Sequence, residues 1–225
     1  MRALVIANTG DDDSGYVGER LVERGFTLEI RHRDRDELPG SLDDFDLVIM
    51  LGSDWSVYWE HVQDDVEREA ALVQQAAGSD VPVLGICYGG QLMSHALGGS
   101  VEASDRVEIG WYELSTSDDA LAPAGPWFEY HLDKFSPPAG AHVLASSAAG
   151  PQAYRLGRML ALQFHPEVSP DIVRRWGAGA ANDASQYGID FEEIYVETDQ
   201  RAAAARQRCH SLVDAFLDNV AFPTT

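Results

Sequence analysis

The sequence predicts an α/β fold: a mostly parallel central sheet flanked by helices on both faces, with an antiparallel extension. Three observations carry this expectation. Short apolar runs alternate with amphipathic stretches through the first hundred residues, a strand–helix–strand rhythm that closes into parallel sheets. The apolar run Val83-Leu84-Gly85-Ile86 breaks at Cys87 and continues as a helical pattern. After residue 100 the chain changes to short alternating segments split by Pro and Gly clusters, which reads as antiparallel hairpins.

The elements follow in order. Residues 2–8 form a first strand, too short for a secretory apolar region. Residues 16–24 read as a helix with Val17, Leu21 and Val22 on one face. Residues 27–31 and 47–51 are the second and third strands, and 62–77 are helical. Residues 81–86 lead into the break at Cys87, and 88–97 form the next helix. Between 100 and 163 the clusters at 122–126, 136–140 and 150–151 mark turns. An apolar strand follows and delivers His165 at its end, where Pro166 stops further pairing because it has no N–H. Residues 170–176 form a helix. Residues 178–199, rich in small residues and then acidic, read as an irregular or partly helical excursion, with Tyr187, Phe191, Ile194 and Tyr195 interleaved. A long helix over 201–220 closes the chain, with Leu212, Val213, Phe216 and Leu217 as its apolar side.

Composition sets bounds. A chain of 225 residues with 45% hydrophobic content supports one sizeable core, so 1–225 is expected to be a single domain. The formal charge of −21, with Lys134 the one lysine, argues against a nucleic-acid surface. Nothing approaches the roughly 20 apolar residues that a membrane span needs. Two cysteines make no disulfide framework, and a required thiol at position 87 fits a reducing, cytoplasmic setting. Cys209, in a helical stretch, reads as structural. The run at 11–13 is a solvated acidic loop, and no zinc-type spacing or phosphate-binding glycine loop appears, so no metal and no cofactor are expected.

The chemistry concentrates at position 87. Gly85 and Gly89 flank Cys87 in the G-x-nucleophile-x-G pattern of a strained strand-to-helix elbow. The glycines permit the sharp turn. The helix that follows aims its dipole and free N–H groups at the sulfur and favours the thiolate. A cysteine nucleophile needs a base and the base an orienting group. His165 supplies the first, and Glu167, two residues on, can accept a hydrogen bond from one ring nitrogen while the other faces the thiol. The backbone N–H of Tyr88 is a natural oxyanion donor. Gln91, one helical turn past Cys87, can face the same pocket.

The motifs GICYGGQ (85–91) and QFHPE (163–167), in that order, resemble the class I, triad-type glutamine amidotransferase family over about residues 1–177; residues 178–225 match only loosely. The resemblance implies a flavodoxin-like amidotransferase fold and a triad of Cys87, His165 and Glu167. It also implies thiolate attack on the side-chain amide of glutamine through a glutamyl thioester. A second oxyanion donor is implied at Gly52, in the turn after the third strand. The family often carries a proline shortly after this glycine; here Asp54-Trp55 follows, so Gly52 and Ser53 stay alternatives. Substrate-binding roles are implied for Gln91, Ser53, His131 and Asp133, and the strand at 110–112 resembles one packed near the family's site. Ammonia is expected to pass to a separate synthase subunit. A stand-alone hydrolase of γ-glutamyl conjugates and a non-catalytic regulator of the same fold are the competing readings.

Overall fold

The computed structural model describes residues 1–184 and 187–223, with the backbone alone over 180–184. Elements run β1 (Arg2–Ala7), α1 (Gly15–Glu23), β2 (Thr27–His32), β3 (Leu47–Met50), α2 (Gln63–Gly78), β4 (Val83–Ile86) and α3 (Tyr88–Ala96). They continue with β5 (Ser100–Glu113), β6 (Ser115–Thr116), β7 (Pro126–Ser136), β8 (His142–Ser146), β9 (Pro151–Leu156), β10 (Met159–Leu162), α4 (Pro170–Ala184) and α5 (Phe191–Phe216). The main sheet has the order β2-β1-β3-β4-β10-β9-β8-β6. Strands β2 through β10 in that order are parallel; β9, β8 and β6 add on antiparallel.

The central strands read as continuous apolar runs because both of their faces are covered. Strands β3, β4 and β10 are buried at every position. One face packs under α1 and α5, through Val17, Leu21, Cys209, Leu212 and Phe216. The opposite face packs under α2 and α3, through Val66, Val73, Leu92 and Met93. Burial pushes the Cys209 thiol well above its ordinary pKa, as suits an inert core cysteine. No helix among the described residues is long and apolar enough to cross a membrane.

Four expectations need correction. Val22 is 57% exposed; the inward face of α1 is Val17, Gly18 and Leu21. Strands β5 and β7 do not extend the main sheet but pair as a separate two-stranded ribbon. The helix expected at 170–176 runs on to Ala184. The final helix, expected at 201–220, is α5 and begins at Phe191, with Asp190 capping it through Glu192 N–H at 2.9 Å, so the excursion expected at 178–199 is partly helical, and its part at 185–186 lies outside the described residues.

Candidate active site

Three parallel strands, β3, β4 and β10, end side by side and bring Gly52, Cys87 and His165 to one edge of the sheet. The carboxyl edge is where such sheets place their sites. Cys87 caps α3 with φ 51° and ψ −110°, a left-handed conformation that costs a non-glycine residue about 1–3 kcal/mol. The surroundings enforce it. Its N–H donates to Leu162 O of β10 at 2.8 Å. A Cβ at Gly89 would fall 2.1 Å from Met50 O, and one at Gly90 2.6 Å from Leu162 O. These two glycines let the elbow lie directly on β3 and β10. Tyr88 opens α3, where the first N–H groups of a helix have no intrahelical partner.

His165 is held by its backbone N–H to Phe128 O at 2.8 Å and by Nδ1 to Glu167 Oε1 at 2.7 Å. Nδ1–H donates to the carboxylate, leaving Nε2 free. Its ring lies 4.8 Å from that of Trp176 on α4, edge to face, and Trp176 Nε1 donates to Asp11 Oδ1 at 2.9 Å. A Cβ on Gly52 would lie 3.1 Å from His165 Cε1 and 3.6 Å from Cys87 Cβ, so the imidazole and the cysteine meet over one glycine. Burial alone would push the imidazole pKa down; the Glu167 carboxylate and the Cys87 thiol outweigh it and raise the pKa well above 6.5. The Cys87 sulfur contributes to that rise, yet no hydrogen bond of normal geometry forms: Nε2 is buried without a partner among the described residues. Such contacts are often loose before substrate binds.

Gln91 is buried and donates to Gln163 Oε1 at 3.4 Å and Asp133 O at 3.5 Å; Gln163 Nε2 in turn reaches Cys87 Sγ at 3.7 Å. The Cys87 thiol faces Tyr130 O at 3.8 Å. Ser53 turns toward its own loop, with Oγ accepting from Trp55 N–H at 3.1 Å. Asp133 accepts from Ser56 Oγ and, at 2.7 Å, from Tyr58 OH, so its carboxylate fastens the 53–58 loop beside the site.

His131 makes its contacts with carboxyl groups of the ribbon. Its Nε2 lies 3.3 Å from both Glu108 Oε2 and Glu129 Oε2, and Nδ1 donates to Asp133 O at 3.0 Å. Among the described residues, these three side chains are the one group with metal-ligand chemistry and spacing. Burial opposes protonation of His131, but the two carboxyl groups push its pKa up to about 10, and burial pushes the Glu129 carboxyl up as well. Glu129 Oε1, Glu129 Oε2 and His131 Nε2 are buried without a hydrogen bond of normal geometry among the described residues.

Sequence reasoning missed Gln163, Trp176, Glu108 and Glu129. Gln163 had a readable signal: it stands two residues before His165, so strand periodicity puts both on one face. Glu129 had the same signal, standing two residues before His131 on β7; Trp176 and Glu108 had none, because each arrives from another element.

A cysteine on a glycine-walled elbow beside a carboxylate-anchored histidine, at the carboxyl edge of a parallel sheet, defines an α/β protein of the elbow-cysteine class. The sequence pattern described as Glutamine amidotransferase class-I matches residues 8–173, and the chain belongs to that family. It is 33% identical over 175 residues to a glutamine-hydrolysing GMP synthase of Pyrobaculum aerophilum, covering 75% of this chain and 33% of that protein. It is 34% identical over 180 residues to that of Phenylobacterium zucineum, covering 74% and 33%. The chain thus spans about a third of the length of the curated relatives it matches. A glutamine amido transferase from Methylobacillus flagellatus superposes with TM-score 0.87 at 25% identity, over 96% of this chain and 93% of the other. A glutamine amidotransferase from Thermotoga maritima shares the fold, with TM-score 0.88 at 24% identity over 97% and 99%.

Proposed function

We propose that the chain hydrolyses the side-chain amide of glutamine and hands the ammonia to a separate synthase, with Cys87 as nucleophile, His165 as acid–base and Glu167 as its orienting carboxylate. The observation that carries this reading is the 2.7 Å bond from His165 Nδ1 to Glu167, which leaves a buried, unengaged Nε2 next to the elbow cysteine. In the proposed reaction the thiolate attacks the amide carbon. The oxyanion that forms accepts hydrogen bonds from the N–H of Tyr88 and of Gly52 or its neighbour Ser53. His165 delivers its proton to the departing nitrogen, and the C–N bond breaks to give ammonia and a glutamyl thioester. Water then adds to the thioester carbon as His165 accepts its proton; the C–S bond breaks and glutamate leaves.

Gln91 and Gln163 form the polar wall beside the sulfur. Asp133 acts by holding the 53–58 loop, and His131 by stiffening the ribbon behind the thiol. Residues 1–225 work as one domain, with α5 packed against α1. The synthase reading is favoured because the curated relatives are glutamine-hydrolysing GMP synthases, of which this chain matches about a third.

The test is labelling by a diazo-ketone analogue of glutamine, together with glutamate release from glutamine and from a panel of γ-glutamyl amines. Labelling at Cys87 with release from glutamine, alone or with a synthase added, supports the proposal. Release only from the amines assigns conjugate hydrolysis. An unlabelled Cys87 and a Cys87→Ala chain indistinguishable from the parent favour the regulator.

A further inference from the structure

Arg33 follows β2 and is 1% exposed, with its side chain enclosed. A buried guanidinium is stable only when its donors and its charge are met. Both are. Nε donates to both Glu69 oxygens at 3.2 Å, and burial, which pushes the Glu69 carboxyl up, is opposed by the Arg33 charge. Nη2 donates to Leu51 O at 2.9 Å and Ile6 O at 3.5 Å; Nη1 donates to Gly52 O at 2.9 Å and to Asn8 Oδ1. The flat face of the group sits 4.7 Å from the centroid of the Tyr88 ring, whose hydroxyl donates to Glu69 Oε1 at 3.4 Å.

Peptide geometry makes these bonds specific. The carbonyl of Leu51 and the N–H of Gly52 belong to one planar peptide unit and point in opposite directions. Gripping the Leu51 oxygen therefore aims the Gly52 N–H away from Arg33. The Gly52 oxygen and the Ser53 N–H are joined in the same way, so either candidate donor is oriented from behind. A positive charge on the carbonyl end also polarises the unit and strengthens its N–H as a donor. The other donor residue, Tyr88, rests its ring on the same guanidinium.

We propose that Arg33, braced by Glu69, is the positioning residue for the oxyanion donors: one guanidinium sets the Leu51–Ser53 peptides and the Tyr88 ring. This rests on the amidotransferase reading above. Sequence gave no hint of Arg33, but Glu69 stands in the apolar stripe of α2 between Val66 and Val73, where a charged residue requires a buried partner.

The test compares the parent, Arg33→Met, Arg33→Lys and Arg33→Met/Glu69→Leu. Glutamine turnover is measured beside alkylation of Cys87 by iodoacetamide, a displacement at carbon that needs no oxyanion donors. The expected result is a kcat loss of about 100-fold in Arg33→Met, with KM within about threefold and alkylation within about twofold. Arg33→Lys is intermediate, since it keeps the charge but not the fork. The double variant removes both buried charges, so it stays folded where the single variant fails, and it remains slow. A double variant that is folded and as active as the parent overturns the proposal and leaves the amidotransferase reading intact. A parent that releases no glutamate and whose Cys87 resists the diazo-ketone overturns both.

Discussion

Replacing Gly89 with alanine tests whether the elbow must lie directly on β3. The added Cβ would sit 2.1 Å from Met50 O and 2.7 Å from Met50 C, both backbone atoms that cannot rotate away. Reaching even a tight 3.0 Å contact requires the start of α3 to move by about 1 Å, at an overpacking cost of about 1–3 kcal/mol or more. For a chain of this size that lowers the melting temperature by roughly 2–12 °C. A 1 Å shift of Cys87 relative to the Gly52 loop also costs about 100-fold in turnover. Gly179 on α4 is the control: its Cβ would meet nothing within 4 Å, so Gly179→Ala raises stability by about 1 kcal/mol through helix propensity. Calorimetry and steady-state glutaminase assays on the two variants decide the matter. If Gly89→Ala melts within about 1 °C of the parent and turns over within about twofold, the close-packed elbow is wrong.

Glu167→Gln keeps the shape but removes the charge that anchors His165 and raises its pKa; turnover falls by about 100- to 10,000-fold, and an NMR titration finds the His165 pKa lower than in the parent. Asp214 holds α5 to α1 through Arg20 at 2.7 Å and Arg24 at 2.5 Å. Asp214→Asn therefore costs about 1 kcal/mol at neutral pH, or roughly 2–4 °C in melting temperature. Burial opposes ionisation of Asp214, but the two arginines hold its pKa below the ordinary 3.8. The Asp214 contribution is thus full above pH 3.8 and is lost as pH falls through the lower folded value, so parent and variant converge in acid.

Much of this was readable along the chain. Strands β1, β3, β4 and β10 announced themselves as unbroken apolar runs, because burial on both faces leaves no room for polar residues. The α5 start at Asp190 was also readable and was missed: Phe191, Ile194 and Tyr195 stand at helical spacing behind a capping aspartate, but the acidic residues around them masked the period. The ribbon of β5 and β7 was misjudged because alternation marks a strand without naming its partner. His131 and Asp133 could be placed on a strand; that His131 meets Glu108 depends on that pairing, which sets the two opposite each other, and Asp133 meets Ser56 and Tyr58 from a loop outside the ribbon.

Sequence alone determined the elbow, its flanking glycines, the histidine at a strand end and the carboxylate two residues later, because each is a constraint within a few bonds of backbone. Tertiary structure decided what stands behind them. The register of β10 on β4, with Leu162 opposite Ile86, brings His165 to Cys87 and Gln163 to the sulfur. The packing of α2 on the sheet brings Glu69 to Arg33, and through it to the Gly52 loop. These neighbours are tens of residues apart in the chain, and what joins them is the burial of two sheet faces, an energy that belongs to the folded whole and leaves no local pattern to read.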